Sequence, residues 1–244
     1  MSKIKTQINF IPLTLLWWNL SLIFFLVLAN LLAIYHSHFG LTERKLEGTV
    51  RMFNLNAEGN LPTLFSYMLL FVCAMLLFFI AKHYRNLRLP WRAWTWLGYI
   101  FLFLGFDEAI QIHELLIGLT RSIIPSSGIF YFAWVIPYMG FVLIMVLVNI
   151  PFLIRLPRPI GLLFVFSGGI FVFGAIGVEM LGGLRVDTVG DDFVYSLLFT
   201  LEEFLEMVGI AMFIYTLLRL MALEKIKLVF KLNSSVNEVK EEIV

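Results

Sequence analysis

The 244-residue chain is 60% hydrophobic and only 14% charged, and its mean hydropathy is +0.90. A soluble domain is nearer half apolar and a quarter charged, so this composition excludes an ordinary soluble globular protein. The net charge of +1 gives no basic footprint for nucleic acid, and the single cysteine, Cys73, excludes an intrachain disulfide and a cysteine-rich metal site.

Long apolar runs follow one another along the chain, each near the roughly 20 residues that a helix needs to cross a bilayer. The first run follows Lys3 and Lys5 and is too long for a signal peptide. All connections but the first are short, which favours one compact antiparallel bundle. We therefore predict an all-α, polytopic integral membrane protein, a six-transmembrane-helix bundle that forms a single domain over residues 1–232. The predicted spans are 11–35, 62–81, 93–118, 129–153, 160–182 and 193–218.

Lysine and arginine residues set the predicted orientation, because they concentrate in cytoplasmic segments. With the N-terminus inside, thirteen of the 18 lie in inside segments and five in outside segments. Both termini are therefore predicted to face the cytoplasm of a bacterial-type plasma or inner membrane. Residues 219–232 mix apolar and basic side chains and are predicted to form a helix on the inner leaflet. The polar residues 233–244 are predicted to be a flexible tail.

The outer connection, residues 36–61, is the longest. A loop of this length between spans is often functional. It is predicted to be either an ordinary hydrated loop or a segment that folds back over an outward-facing cavity.

Ionisable side chains stand inside three of the predicted spans, although each costs about 2.5–3.5 kcal/mol at the bilayer centre. The spans contain no lysine or arginine, so protons, metal ions or a cationic ligand must neutralise the acids. Arg121 and Arg185 at the outer rim are predicted to reach at most Glu114 and Glu179. The buried groups are Asp107, Glu108, His113 and Glu114 in the third span, Glu179 in the fifth, and Glu202, Glu203 and Glu206 in the sixth.

The depths of these acids match between spans. At 1.5 Å per residue, Asp107 lies about 16 Å below the outer end of its span, and Glu202 lies about 14 Å below the same surface. At about 100° per residue, Asp107, Gln111 and Glu114 share one stripe of the third span, and Glu202 and Glu206 share one stripe of the sixth. The sequence therefore predicts one shared site that opens to the outer side.

Carboxylates combined with an imidazole are a common ligand set for Fe, Mn or Zn. We therefore predict a metal-dependent membrane enzyme, in which the ion polarises a lipid or quinone-like substrate or activates water or oxygen. The chain has no Glu-x-x-His pair, which counts against a di-iron centre specifically. The predicted ligands of the divalent metal are Asp107, His113, Glu114, Glu179, Glu202 and Glu206, and the candidate general acids or bases are His113, Glu108 and Glu203.

Two other functions are compatible with the same residues. A proton- or cation-coupled transporter would use the acids as a relay, and paired acids in spans three and six are compatible with an inverted repeat. A structural or assembly subunit of a membrane complex would keep the acids protonated. Membrane lipids are the expected partners in every case, and an oligomer or a larger membrane complex is compatible with the large apolar surface.

Overall fold

The computed structural model describes residues 5–7, 11–38, 47–57, 59–226 and 229–231. These residues are helical apart from turns and two three-residue strands. The helices are α1 (Pro12–His38), α2 (Glu47–Phe53), α3 (Leu61–Asn86), α4 (Arg92–Ile110), α5 (Ile112–Ile123), α6 (Val135–Arg155), α7 (Arg158–Val172), α8 (Glu179–Thr188) and α9 (Phe193–Leu223), and the strands are β1 (Lys5–Gln7) and β2 (Val229–Lys231). A π-helical segment, Phe173–Val178, joins α7 to α8 as one continuous helix.

Five helices in the described part of the chain are long and apolar enough to cross a membrane. The chain is accordingly a multi-pass helical membrane protein. Four of the five are longer than the predicted apolar runs, because lysine, arginine and polar side chains at their ends continue the helix beyond the hydrocarbon. The five are α1, α3, α6, the continuous helix Arg158–Thr188, and α9.

The third predicted span, 93–118, is not one helix. Helix α4 ends at Ile110, Gln111 takes a left-handed conformation with φ 59° and ψ 44°, and α5 starts at Ile112. The Asp107 carboxylate accepts a hydrogen bond from the backbone N–H of His113, which satisfies a first-turn donor of α5 and fixes the break. Helix α4 alone is 19 residues long, which corresponds to about 28 Å.

Helix α9 is the centre of the bundle. It buries side chains along most of its length and packs against α1, α3 and the α7 helix, while α4 packs along α3. The inner half holds the largest core cluster, around Trp94, Leu77 and Leu217. Helix α6 lies at the periphery, and only 6% of its most apolar 18-residue stretch is buried.

Gly209 allows α9 to approach α7 closely. A Cβ atom at this position would lie 2.7 Å from the backbone N of Phe171 and 2.9 Å from its Cα. Backbone atoms cannot rotate away, so any larger side chain must push the helices apart. Transmembrane helices associate through such small residues, because lipid gives them no hydrophobic drive to associate.

The two ends of the described chain meet in β1 and β2, which pair antiparallel from Lys5 with Lys231 to Gln7 with Val229. The predicted inner-leaflet helix over 219–232 is therefore wrong in part. Arg219 to Leu223 belong to α9, and residues 229–231 form a strand. The predicted flexible tail, 233–244, lies outside the described residues.

Replacement of Gly209 by alanine is expected to destabilise the protein by about 1–3 kcal/mol, the usual range for a side chain forced into a packed interior. Gly140→Ala is the matched control, because a Cβ at Gly140 in α6 meets nothing within 4 Å. Thermal unfolding in detergent measures both. Equal melting temperatures for the two variants would contradict the close packing of α7 on α9.

Candidate functional site

A cavity of about 600 Å³ lies between α4, α6, the α7–α8 helix and α9. All eight ionisable residues predicted from the sequence are on its wall, together with Trp134, Tyr138 and Tyr195. The acids of α4, α5, α8 and α9 therefore face one space. No lysine or arginine is among the described residues that line it.

Asp107 is held by three donors. The Tyr138 hydroxyl donates to Oδ2 at 2.7 Å, the backbone N–H of His113 donates to Oδ1 at 2.7 Å, and the imidazole Nδ1 of His113 lies 3.2 Å from the same oxygen. The carboxylate is 5% exposed. Although the sequence placed Asp107 among the metal ligands, these contacts give it the role of orienting His113 and starting α5.

The imidazole of His113 is fixed between Asp107 and Trp134, whose ring centroid lies 4.9 Å from its own. An Nδ1–H donated to Asp107 puts the lone pair of the neutral ring on Nε2. The side chain also interacts electrostatically with Glu179. His113 is therefore a base or ligand of fixed orientation, facing the acids of the two other helices.

Glu179 and Glu202 form the centre of the acidic group. Their carboxyl groups lie next to each other and interact directly, and the Trp134 indole N–H donates to Glu179 at 3.0 Å. Two neighbouring carboxyl groups away from water cannot both be ionised at low cost, so they need a shared proton or a cation between them. The pair is therefore a place that can hold a proton inside the protein.

The π-helical segment Phe173–Val178 ends directly before Glu179. Single π turns inside longer helices occur frequently at functional sites. Within this segment, a Cβ on Gly174 would lie 3.0 Å from the Glu202 carbonyl oxygen and 3.2 Å from Cγ of Glu206. The absence of a side chain at Gly174 thus lets the helix that carries Glu179 approach the helix that carries Glu202.

The remaining acids surround this pair. Glu206 interacts electrostatically with Glu203 and Glu108, so α4 and α9 bring their acids together as the matching depths predicted. Glu114 is exposed at the rim. The predicted stripe of Asp107, Gln111 and Glu114 is interrupted, because the left-handed Gln111 changes the register of the helix and does not line the cavity.

The rim arginines do not neutralise these acids. Arg121 donates to the Tyr131 carbonyl and lies over the Tyr131 ring. Arg185 pairs instead with Asp192, the residue that caps α9. The Arg185 guanidinium and the Tyr195 backbone N–H lower the pKa of Asp192 to about 2.

A preformed metal centre is not present in the described part of the chain, where no three His, Cys, Asp or Glu side chains are placed to hold an ion. The two residues that sequence reasoning missed are Trp134 and Tyr138. Both are aromatic residues near the start of α6, and nothing in the sequence separates them from the other five tryptophans and seven tyrosines as hydrogen-bond donors.

The comparison with known families gives one match, to a model described as a domain of unknown function (DUF8692), over residues 14–220. The matched region runs from α1 to α9 and includes every cavity residue discussed above. No curated protein and no solved structure matches the chain.

Proposed function

The chain belongs to the DUF8692 family, and we propose that it is a proton-coupled membrane carrier whose acidic cavity takes up a cation in exchange for protons. The observation that carries the proposal is the direct pairing of the Glu179 and Glu202 carboxyl groups on a cavity wall whose described residues include no lysine or arginine. A proton shared by two carboxyl groups is released when a cation takes its place. The same groups can then return to the protonated pair when the cation leaves.

Charge balance supports this exchange. Seven carboxyl groups line a cavity without a lysine or arginine among its described residues, and the rim arginines bind elsewhere. Charged groups at bilayer depth are costly unless they are neutralised. Protons can neutralise the paired carboxyl groups, and a cation is the natural replacement for a proton.

The length of the cavity favours a carrier over a surface enzyme. Along α9 its wall extends from Tyr195 to Phe213, a distance of about 27 Å at 1.5 Å per residue. The hydrocarbon core of a bilayer is about 30 Å thick. A ligand in this space has access to most of the membrane depth.

The pairing of β1 with β2 supports a six-span topology for the carrier. Residues 5–7 pair with residues 229–231, so the two ends of the described chain lie close together. Ends on one side require an even number of crossings, and we propose that α4 is the sixth span beside the five long helices. The excess of lysine and arginine on that side supports a cytoplasmic position for both termini, in a bacterial-type plasma membrane.

Single cysteines test this topology in a Cys73→Ala background. Ser122→Cys, at the end of α5, is expected to react with an impermeant maleimide on intact cells. Arg88→Cys, between α3 and α4, is expected to react only after the membrane is opened. Equal labelling of both positions would mean that α4 does not cross.

The exchange itself is measured with a pH dye in lightly buffered solution, on addition of Mn²⁺ or ethylammonium to the purified protein. Binding is expected to release about one proton per cation, since the ion replaces a shared proton. Glu202→Gln is expected to lower both the affinity and the proton yield at least tenfold. In liposomes, an inward gradient of the bound cation is expected to drive protons outward.

Asp191→Asn is the matched control, because Asp191 is an exposed acid that precedes α9 and does not line the cavity. It is expected to behave like the unmodified protein. Cation binding without proton release, or no binding of either probe, would overturn the proposed exchange.

The metal-dependent enzyme is a second candidate, favoured by the contact between His113 and Asp107. Metal-binding histidines almost always donate their second ring N–H to a carboxylate or carbonyl, as His113 does here. We propose for this candidate that Fe, Mn or Zn binds His113 Nε2, Glu179, Glu202 and Glu206 after the side chains move together. Glu108 and Glu203 would then exchange protons with a lipid or quinone-like substrate.

Elemental analysis of the detergent-purified protein tests this candidate. One metal ion per chain is expected in the unmodified protein and in the control His83→Asn, which alters a histidine at the inner end of α3. The ion is expected to be lost in His113→Asn and in Glu202→Gln. Metal-free protein that is folded and gains no metal on incubation with Fe²⁺, Mn²⁺ or Zn²⁺ would exclude the enzyme as stated.

A further inference from the structure

We propose that the cation is the headgroup of a membrane amphiphile, an amine with a long hydrocarbon chain, which enters the cavity sideways from the bilayer. This inference rests on the proposed cation exchange and adds the chemical class of the ligand. Three properties of the cavity carry it: the change from acidic to apolar lining with depth, the opening between α6 and α7, and the sign of the charge.

The lining of the cavity changes from acidic to apolar beyond Glu206, towards the inner end of α9. The α9 residues that line it beyond this point are Gly209, Ile210 and Phe213. Phe213 stacks on Phe101 with ring centroids 4.5 Å apart and meets Phe164 at 4.6 Å. The inner half of the cavity is therefore a wall of aromatic and aliphatic side chains, which suits a hydrocarbon chain.

Two polar residues line this inner half, and both are bonded within their own helices. The Asn149 amide donates to the Met145 carbonyl at 2.8 Å, and the Ser167 hydroxyl donates to the Leu163 carbonyl at 2.7 Å. Neither donor is directed at a ligand. A small hydrated cation would therefore find partners in the outer half of the cavity only.

Helix α6 meets the α7–α8 helix near its outer end and α7 near its inner end. At the outer end, Val135 and Ile176, which lies in the π-helical segment, belong to one buried cluster. At the inner end, the rings of Phe152 and Phe164 are 6.0 Å apart. We place the lateral opening of the cavity in the gap between these contacts.

The cavity wall beside this gap includes side chains that are more than half exposed. Val146 is 51% exposed and Val165 is 59% exposed, and both belong to the cavity wall. Gly168 and Gly169 continue the α7 edge, where an added Cβ would meet nothing within 4 Å. Val146 lies about 16 Å below the outer end of α6, so the opening faces lipid chains.

The charge of the cavity selects the headgroup. Carboxyl groups from four helices meet its outer half, and the described lining has no lysine or arginine to receive a phosphate or carboxylate. An ammonium group has three donors and no acceptor, which complements carboxylate oxygens. A cavity of about 600 Å³ is within the usual range for small-molecule sites.

The test measures binding of dodecylammonium, ethylammonium and dodecanol to the protein in lipid nanodiscs, with each affinity corrected for partition into lipid. Dodecylammonium is expected to bind at least tenfold more tightly than either comparison compound. Glu202→Gln is expected to remove the preference for the charged compound over dodecanol.

Two variants that fill the opening test the route of entry. Gly169→Phe and Val165→Trp are expected to slow or weaken dodecylammonium binding at least fivefold while ethylammonium binding is unchanged. Gly140→Phe is the control, since Gly140 is equally unobstructed but does not line the cavity. Unchanged ethylammonium binding in the filled variants also verifies that they are folded.

The outcomes separate this inference from the proposed function. Equal affinities for ethylammonium and dodecylammonium would overturn the amphiphile and leave cation exchange intact. Equal affinities for dodecanol and dodecylammonium would overturn both, because charge would then play no part. Full binding in both filled variants would overturn lateral entry.

Discussion

Seven carboxyl groups within a membrane bundle, with no lysine or arginine among the described residues of the cavity wall, impose the constraint on which the rest of this structure depends. A carboxylate in a medium of low polarity needs hydrogen-bond donors, a proton or a cation. The donors that the protein itself provides include the Trp134 indole, the Tyr138 hydroxyl and the His113 imidazole and backbone N–H. They come from α5 and the beginning of α6, where Tyr138 also packs against an apolar cluster that contains Trp134. These residues therefore serve both the acids and the packing.

The same constraint accounts for the irregular backbone around the site. Gln111 is a non-glycine residue in the left-handed region, which is an uncommon conformation. It lets α5 start where Asp107 can bond both the backbone and the ring of His113. The π segment before Glu179 and the bare Gly174 within it bring a second acid against α9. Each of these irregularities lies within a few residues of a carboxyl group, whereas the largest core cluster, in the regular part of the bundle, is apolar.

Much of this arrangement could be predicted from hydropathy and helical geometry. Apolar runs located the long helices, and the rise of 1.5 Å per residue placed Asp107 and Glu108 level with the acids of α9. The break at Gln111 was not predictable, because glutamine is not a characteristic left-handed residue, unlike glycine or asparagine. The partners of Arg121 and Arg185 were also missed. Their choice of Tyr131 and Asp192 over Glu114 and Glu179 depends on turns whose course the local sequence does not specify.

The acids of the cavity divide into two groups with different capacities. Asp107 accepts hydrogen bonds from Tyr138 and twice from His113, so fixed protein donors satisfy it without an added ion. Glu179 has the Trp134 indole and the neighbouring Glu202 carboxyl group, with which it can share a proton. Only the second group can hold a proton that a cation displaces, since the donors on Asp107 are part of the protein. In the proposed exchange, the displaced proton therefore comes from between α8 and α9, and the Asp107–His113 contact holds one wall of the cavity in place.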